Sequence, residues 1–280
     1  MKIGVFQRLE NTKESVHVGF DTFLYTYHYN SIDPFVFIAK NFDLYAGIKY
    51  MVAIRPHVIS PQYLLKILQS FYYIDKKDKD PILLQRSHFA KVTEQNIKPI
   101  PVYINLITGC IDDERQQQYG GTIQNINDNS TFEERSEHLI KFVNEFNRLN
   151  EMHFNNFFHL NFYITTTNQY VFDEASKKHN KMIIEYTDYR DKVFNITDPA
   201  NVMLTFGPVI RNTQEELDLM DKTPSDTVKP NTVFCTPEQL RQMLKKFEQE
   251  GIEEVLFWAL STENIDNIYN FTKEYKESLK

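Results

Sequence analysis

The sequence predicts an α/β fold in which eight parallel strands alternate with helices and close into a TIM-type (β/α)8 barrel. Short apolar, strand-like runs recur along the whole chain, and amphipathic segments with helix-start signals lie between them. Eight such strands in 280 residues suit a barrel better than a doubly wound sheet. The sequence also lacks the GxGxxG pattern that would open a dinucleotide-binding domain. We therefore expect residues 1–280 to form a single barrel domain.

The predicted strands are apolar segments, and the fourth is apolar nearly throughout, as expected for a strand buried on both faces. They cover residues 2–7, 21–28, 47–55, 101–108, 157–165, 181–186, 201–210 and 254–260. Segments 8–20 and 188–200 leave little room for a first and a sixth helix, which makes the barrel somewhat degenerate. The polar stretches 76–99 and 110–130 are predicted to be insertions.

Helix starts are marked by residues that can cap the first turn. Ser60 precedes Pro61, a residue that suits the first helical position because no amide donor is needed there. Thr131 is followed three residues later by Glu134, which is the pattern of a capping box. Asp33 and Thr236 precede prolines in the same way. The predicted helices cover residues 34–43, 62–74, 132–149, 169–178, 236–251 and 263–278.

Composition and charge exclude several classes of function. The net charge of −7 and the lack of a basic stripe argue against nucleic-acid binding. No apolar run approaches the roughly 18–20 residues of a membrane span, and no signal peptide is visible, so we expect a cytoplasmic protein. Cys110 and Cys235 are too few and too far apart for a disulfide framework. His57, His138 and His179 have no partners at ligand spacing, so no metal site is predicted.

Several segments, in their order and spacing, resemble the bacterial-luciferase-like flavin monooxygenases, most closely the alkanesulfonate monooxygenase branch. The resemblance is best over residues 19–150 and thinner over 201–260. The segments that carry it are Gly19-Phe-Asp-Thr-Phe-Leu24, Asp33-Pro34-Phe35, Val52-Ala-Ile-Arg-Pro56 with Ser60-Pro61, Ile104-Asn-Leu-Ile-Thr-Gly109, Phe132-Glu-Glu-Arg135 and Thr236-Pro-Glu238.

The resemblance implies an enzyme that binds reduced FMN noncovalently, receives it from a separate flavin reductase and uses dioxygen to oxygenate a small organic substrate. Ala53 would lie under the flavin ring near the end of strand three, with Asn105 and Thr108 flanking the ring from strand four. His28, near the end of strand two, would be the catalytic residue, because an imidazole can move a proton near neutral pH. His28 is equally compatible with a pocket wall or an interface, and Asn105 with satisfying buried backbone groups.

The resemblance also places the flavin phosphate in the turn after strand five, against the start of the next helix. Here that turn carries three hydroxyls, those of Thr165, Thr166 and Thr167. The alternative is an ordinary strand end in which Thr167 or Asn168 caps the helix.

The chain departs from the family pattern at three places. Ser136 replaces a tyrosine, Ser31 replaces the cysteine of the alkanesulfonate branch, and the loop after strand seven is reduced to roughly residues 221–233. A non-catalytic flavin-binding protein, which stores or scavenges flavin, therefore stays an alternative. So do a barrel that serves as an interaction partner and, less favoured, a deazaflavin-using relative. The resemblance further implies a homodimer formed through the helices after strands two and three.

Overall fold

The computed structural model of the chain describes residues 1–6, 12–26, 32–41, 47–56, 59–74, 102–108, 131–154, 162–177, 180–220, 231–259 and 262–279. The strands are β1 (Lys2–Phe6), β2 (Thr22–Thr26), β3 (Lys49–Ile54), β4 (Val102–Ile107), β5 (Phe162–Thr165), β6 (Lys181–Glu185), β7 (Val202–Ile210), β8 (Thr232–Cys235) and β9 (Glu254–Phe257). The helices are α1 (Thr12–Val18), α2 (Pro34–Asn41), α3 (Pro61–Ile74), α4 (Phe132–Phe154), α5 (Gln169–Ser176), α6 (Tyr186–Arg190), α7 (Gln214–Asp218), α8 (Pro237–Gln249) and α9 (Thr262–Ser278). The predicted insertions 76–99 and 110–130 lie outside the described residues.

Eight of these strands close into a parallel barrel, which confirms the predicted fold class. Their order is β1-β2-β3-β4-β5-β6-β7-β9, and β9 pairs with β1 to complete the ring. The extra strand β8 was not predicted. It pairs with the outer half of β7, from Gly207 to Ile210, and therefore extends one side of the barrel beyond the ring.

The predicted helix starts are confirmed by their hydrogen bonds. Ser60 Oγ accepts the amide of Tyr63 at 3.1 Å, at the start of α3. Thr131 and Glu134 each accept the other's backbone amide, which is a complete capping box. Two further predicted caps are confirmed: Asp33 accepts the amide of Phe35, and Thr236 forms a capping box with Gln239. The first and sixth helices are short, as predicted from the small number of residues available for them in segments 8–20 and 188–200. No helix among the described residues is both long and apolar enough to cross a membrane.

Strand residues alternate between an outer face, which packs against the helices, and an inner face, which fills the barrel. The ladder registers stack the inward side chains in layers of four, taken from alternate strands. From the amino-terminal base upward the layers are Thr22, Tyr103, Lys181 and Glu254; Gly4, Met51, Tyr163 and Met203; Leu24, Asn105, Ile183 and Leu256; Phe6, Ala53, Thr165 and Thr205; and Thr26, Ile107, Glu185 and Trp258.

A buried carboxylate organises the base of the barrel. Glu254 is only 2% exposed, and its oxygens accept hydrogen bonds from the ammonium groups of Lys49 at 3.0 Å and Lys181 at 2.9 Å. The hydroxyl of Tyr163 donates to the same carboxylate at 2.8 Å and accepts from Lys49 at 2.7 Å. Lys49 also lies over the ring of Tyr103, 4.9 Å from its centroid. Two ammonium groups and one hydroxyl thus share a single carboxylate in a place closed to most water.

The pKa values follow from this arrangement. Burial alone would raise the pKa of Glu254, but Lys49 and Lys181 outweigh burial and lower it to about 2. Burial lowers the pKa of Lys49, although Glu254 opposes that change. Burial and the negative charge of Glu254 raise the pKa of Tyr163, so its hydroxyl stays protonated and remains a donor. The charged carboxylate is therefore the form that the folded barrel stabilises.

We expect Glu254→Gln to lower the free energy of unfolding by about 3–5 kcal/mol near neutral pH, because it leaves half-buried ammonium groups without their counter-charge. In the folded state the pKa is about 2, against an ordinary value of 4.5. The charged form therefore stabilises above about pH 4.5, and this contribution is lost as the pH falls toward 2. Urea unfolding at several pH values should show the difference between wild type and variant shrinking on acidification.

The matched control is Glu253→Gln, one residue earlier and exposed. It should change stability by no more than about 0.5 kcal/mol. Equal effects of the two substitutions would show that the network does not stabilise the barrel.

Candidate active site

The candidate site is the mouth of the barrel, the end at which the carboxyl ends of the strands lie. We define the mouth by its two uppermost inward layers, which are Phe6, Ala53, Thr165 and Thr205, and above them Thr26, Ile107, Glu185 and Trp258. The lower of these layers contains three small side chains. Ala53, Thr165 and Thr205 therefore leave space in this layer, and Phe6 is its one bulky side chain.

Asn105 lies one layer below this opening and is 3% exposed. Its Oδ1 accepts a hydrogen bond from Thr165 Oγ1 at 3.0 Å, which joins β4 to β5. The β3–β4 register pairs Asn105 with Ala53, so its side chain lies on the inner face of the barrel, just below the mouth. Three residues that the sequence assigned to flavin binding, Ala53, Asn105 and Thr165, are thus brought together. Thr108, which follows the end of β4, is buried as well.

The turn after β5 is already hydrogen-bonded internally. Thr166 is buried, and its hydroxyl accepts the amide of Asn168 at 2.9 Å. Asn168 Oδ1 accepts the amides of Tyr170 at 2.8 Å and Val171 at 3.3 Å, so Asn168 is the cap of α5. Thr167 is exposed and has no hydrogen-bond partner among the described residues. A phosphate at this helix start would meet Thr167 first and would have to displace the Asn168 side chain from the amides.

Other residues singled out from the sequence lie elsewhere. His28, Ser31 and Cys110 fall outside the described residues, as does 221–230 of the loop after strand seven. The end of that loop was predicted too far along the chain, because Thr232 and Val233 already belong to β8. Ser136, in α4, is buried.

Two titratable groups outside the mouth have pKa values shifted by burial. His138, in α4, has a pKa lowered by burial, against a hydrogen bond to the backbone of Pro56 that acts to raise it. Burial raises the pKa of the Cys235 thiol to about 12. Within the described ranges, no group of three His, Cys, Asp or Glu side chains is placed to hold a metal ion.

Trp258 lies inside the mouth, a role that the sequence did not indicate. Its backbone amide donates to Phe206, so it continues the β9 ladder with its side chain on the inner face. A Cβ built on Gly207 would come within 2.7 Å of the benzenoid ring of Trp258. The indole therefore leans across β7 and covers the point where a side chain at Gly207 would stand. Alternation from Glu254 through Leu256 could have placed Trp258 inward, had the register been known.

Glu185 is the second mouth residue that the sequence analysis missed. It pairs with Thr205, and its extended backbone keeps the alternation of β6, in which Ile183 faces the interior. Burial raises the pKa of Glu185, and Asp188 raises it further, whereas a hydrogen bond from Thr187 lowers it. The side chain is exposed to solvent even so, since neighbouring atoms shield only part of it.

Asn231 fixes the backbone around Glu185. Its side chain is 3% exposed; Nδ2 donates to the carbonyl of Thr205 at 2.5 Å, and Oδ1 accepts the amide of Thr187 at 3.3 Å. The amide of Gly207 donates to the Asn231 carbonyl. One buried residue thus connects the end of β6 with β7 and with the start of β8, and holds Glu185 at a defined place on the rim.

Comparison with known proteins bears on the fold. No protein-family model matches the sequence, and neither does a curated protein. Among solved structures, apo-MsnO8 matches with a TM-score of 0.64 and 11% identity, over 99% of this chain and 98% of that chain. An F420-dependent secondary alcohol dehydrogenase matches with a TM-score of 0.63 and 10% identity, over 98% and 97%. The EDTA monooxygenase EmoA from Chelativorans sp. BNC1 matches with a TM-score of 0.61 and 12% identity, over 99% and 93%.

These matches concern the fold of the whole barrel. They run along the whole chain, so this protein shares the complete fold of these proteins rather than a common fragment of it. The fold agrees with the luciferase-like resemblance of the motif segments. The matches do not single out the alkanesulfonate branch, which the sequence favoured.

We expect Gly207→Ala to displace the Trp258 indole, because the new Cβ would overlap its ring. Overpacking of this kind costs about 1–3 kcal/mol. Trp258 is the single tryptophan of the chain, so its emission spectrum should shift together with the loss of stability. Gly47→Ala is the control: it meets open space but forces alanine into φ +89°, so it should destabilise without altering the emission. An unchanged Gly207→Ala spectrum would contradict the described packing.

Proposed function

We propose that the protein is an FMN-dependent, two-component monooxygenase of the luciferase-like kind. The observation that carries the proposal is the buried polar side chain of Asn105, which is hydrogen-bonded to Thr165 and lies just below a mouth lined by Ala53 and Thr165. Its amide nitrogen would donate to a carbonyl of a flavin ring. When bound, reduced flavin would supply electrons to activate dioxygen. A separate cytoplasmic reductase would deliver it, and a small organic molecule would be the substrate.

Each of the candidate site residues would have a distinct role in flavin binding or proton transfer. Ala53 would leave room beneath the ring, Asn105 would donate to it, and Thr108 would flank it. Thr165 would hold Asn105 in position, because their side chains are already hydrogen-bonded. His28 is proposed as the group that moves a proton. The relatives that support this assignment include the EDTA monooxygenase and a riboflavin lyase described with modified FMN and riboflavin.

The phosphate is proposed to lie at the start of α5, beside the exposed hydroxyl of Thr167. Helix amides and the helix dipole favour an anion there. Thr166 would support the turn from beneath rather than contact the phosphate, because its hydroxyl already binds Asn168. Asn168 would exchange its two amide hydrogen bonds for contacts with the ligand.

A deazaflavin is the second candidate cofactor. Two of the matching structures are F420-dependent enzymes, a secondary alcohol dehydrogenase and a tetrahydromethanopterin reductase with a TM-score of 0.58. A barrel with this cofactor would transfer hydride and would not need dioxygen. Direct comparison of the two cofactors in one binding assay separates these candidates.

Titration with FMN tests the proposal, with Trp258 as the reporter. We expect oxidised and reduced FMN to quench the Trp258 emission saturably, because the indole lies in the mouth. Ala53→Leu should weaken FMN binding about tenfold or more, since it fills the space beneath the ring; a factor of ten is about 1.4 kcal/mol. Riboflavin should bind more weakly than FMN if α5 holds the phosphate.

The control is Ala39→Leu in α2, an equal increase in side-chain volume away from the mouth, which should leave FMN affinity unchanged. Saturable quenching by F420 with none by FMN would favour the deazaflavin candidate. FMN binding followed by an oxygen pulse that merely reoxidises the flavin would favour flavin storage. Absence of quenching by any flavin would overturn the proposal and leave a barrel that serves as an interaction partner.

We also propose a homodimer in which α2 and α3 of two copies face each other. Val36 on α2 is 63% exposed, Tyr63 on α3 is 58% exposed, and Ile32 just before α2 is 65% exposed. Sedimentation velocity should show a dimer, and Val36→Lys combined with Tyr63→Lys should give a monomer. Met152→Lys on α4, another exposed apolar position, should remain dimeric. A monomeric wild type would contradict the proposed dimer.

A further inference from the structure

Among the residues that the structure describes, the rim of the mouth beside β6 carries a carboxylate, Glu185, without a cationic partner. The groups that perturb Glu185 among the described residues are Asp188 and Thr187, and neither is a cation. Asp191 is compensated by Arg190, whose guanidinium donates to it at 2.7 and 3.1 Å. A carboxylate has about four acceptor positions, so a single bond from Thr187 leaves most of Glu185 available to a ligand.

The side chains around Glu185 fit an organic cation. Trp258 stands in the same layer of the mouth, and its ring leans over β7 toward β6. Between the two strands lie Thr205 and Gly207, which are small. An ammonium group between a carboxylate and an indole gains charge-assisted hydrogen bonds from one and a cation–π contact from the other. A sulfonate at the same place would be repelled by Glu185.

Two described arginines directly follow barrel strands. Arg55 follows β3, three strands away from β6 around the barrel, and has interactions of its own. Arg211 follows β7, where its guanidinium donates to the carbonyl of Ile210, and neither arginine is among the groups that perturb Glu185. Asn231 bonds to Thr205, the register partner of Glu185, and to Thr187, two residues further along, through part-buried hydrogen bonds. The backbone that carries the carboxylate is therefore anchored on one side of the site.

We propose that Glu185 determines substrate specificity, and that the mouth accepts a small organic molecule bearing a protonated amine, held by Glu185 and the face of Trp258. This inference rests on the proposed function, since it names the substrate class of the same site. It departs from the alkanesulfonate branch, whose substrates carry the opposite charge. The amine nitrogen would anchor the molecule while its carbon skeleton extends over the layer of Ala53 and Thr165.

Three probes with one carbon skeleton test this: n-butylammonium, n-butanol and n-butanesulfonate. Binding is measured through Trp258 emission, with and without saturating FMN. We expect n-butylammonium to bind about tenfold or more tightly than either other probe, because charge-assisted hydrogen bonds contribute at least about 1.4 kcal/mol. Glu185→Gln, which keeps the shape and removes the charge, should abolish the preference. Gly207→Ala should weaken n-butylammonium binding by displacing the indole.

The matched control is Asp188→Asn, which removes a carboxylate three residues further along, in α6. It should keep the preference for the ammonium probe. Equal affinity of wild type for the three probes, or an equal loss in Asp188→Asn and Glu185→Gln, would overturn the inference. FMN titration of the same variants separates the two proposals. Wild type that binds FMN without preferring ammonium contradicts this inference alone. Wild type that prefers ammonium without binding any flavin contradicts the proposed function alone.

Discussion

One buried carboxylate sets how the strands of this barrel align. Glu254 on β9 is bonded to Lys49 on β3, Tyr163 on β5 and Lys181 on β6, so half of the barrel strands are joined at the base of the interior. A shift of any of these strands by one residue would turn its polar side chain to the outer, apolar face. The alignment of the strands at the base determines which inward residues share each layer above it. The positions of Ala53 and Glu185 at the mouth therefore depend on contacts at the opposite end of the molecule.

Much of the architecture could be read from local signals. Strand and helix positions followed from apolar runs and caps, because a Ser or Thr before a first turn has the same effect in almost any fold. The strand β8 was missed for a physical reason. Its four residues, from Thr232 to Cys235, are too few to show alternation, and they become a strand only because β7 continues beyond the ring and offers an unpaired edge.

The site was less accessible to sequence reasoning. The family resemblance assigned Ala53 and Asn105 to neighbouring strands, and the structure pairs these two residues on the inner face toward the carboxyl ends of β3 and β4. The sequence named Asn168 as one of two possible caps, but it could not decide between a cap and a phosphate at the helix amides, which Asn168 occupies. Glu185 and Trp258 were missed because no local pattern shows which residues at the carboxyl end of a barrel strand face inward. The inward face at that end is set by closure of the whole ring.

The extension of β7 by β8 has a consequence for how such a site can change. The elements on either side of the connection between α7 and β8 are both anchored: α7 begins with a capping box at Thr213, and β8 is hydrogen-bonded to β7. The free energy of closing a loop between fixed ends grows only slowly with its length. Residues can therefore be gained or lost between α7 and β8 over evolution at little cost to the barrel, whose strands stay the same.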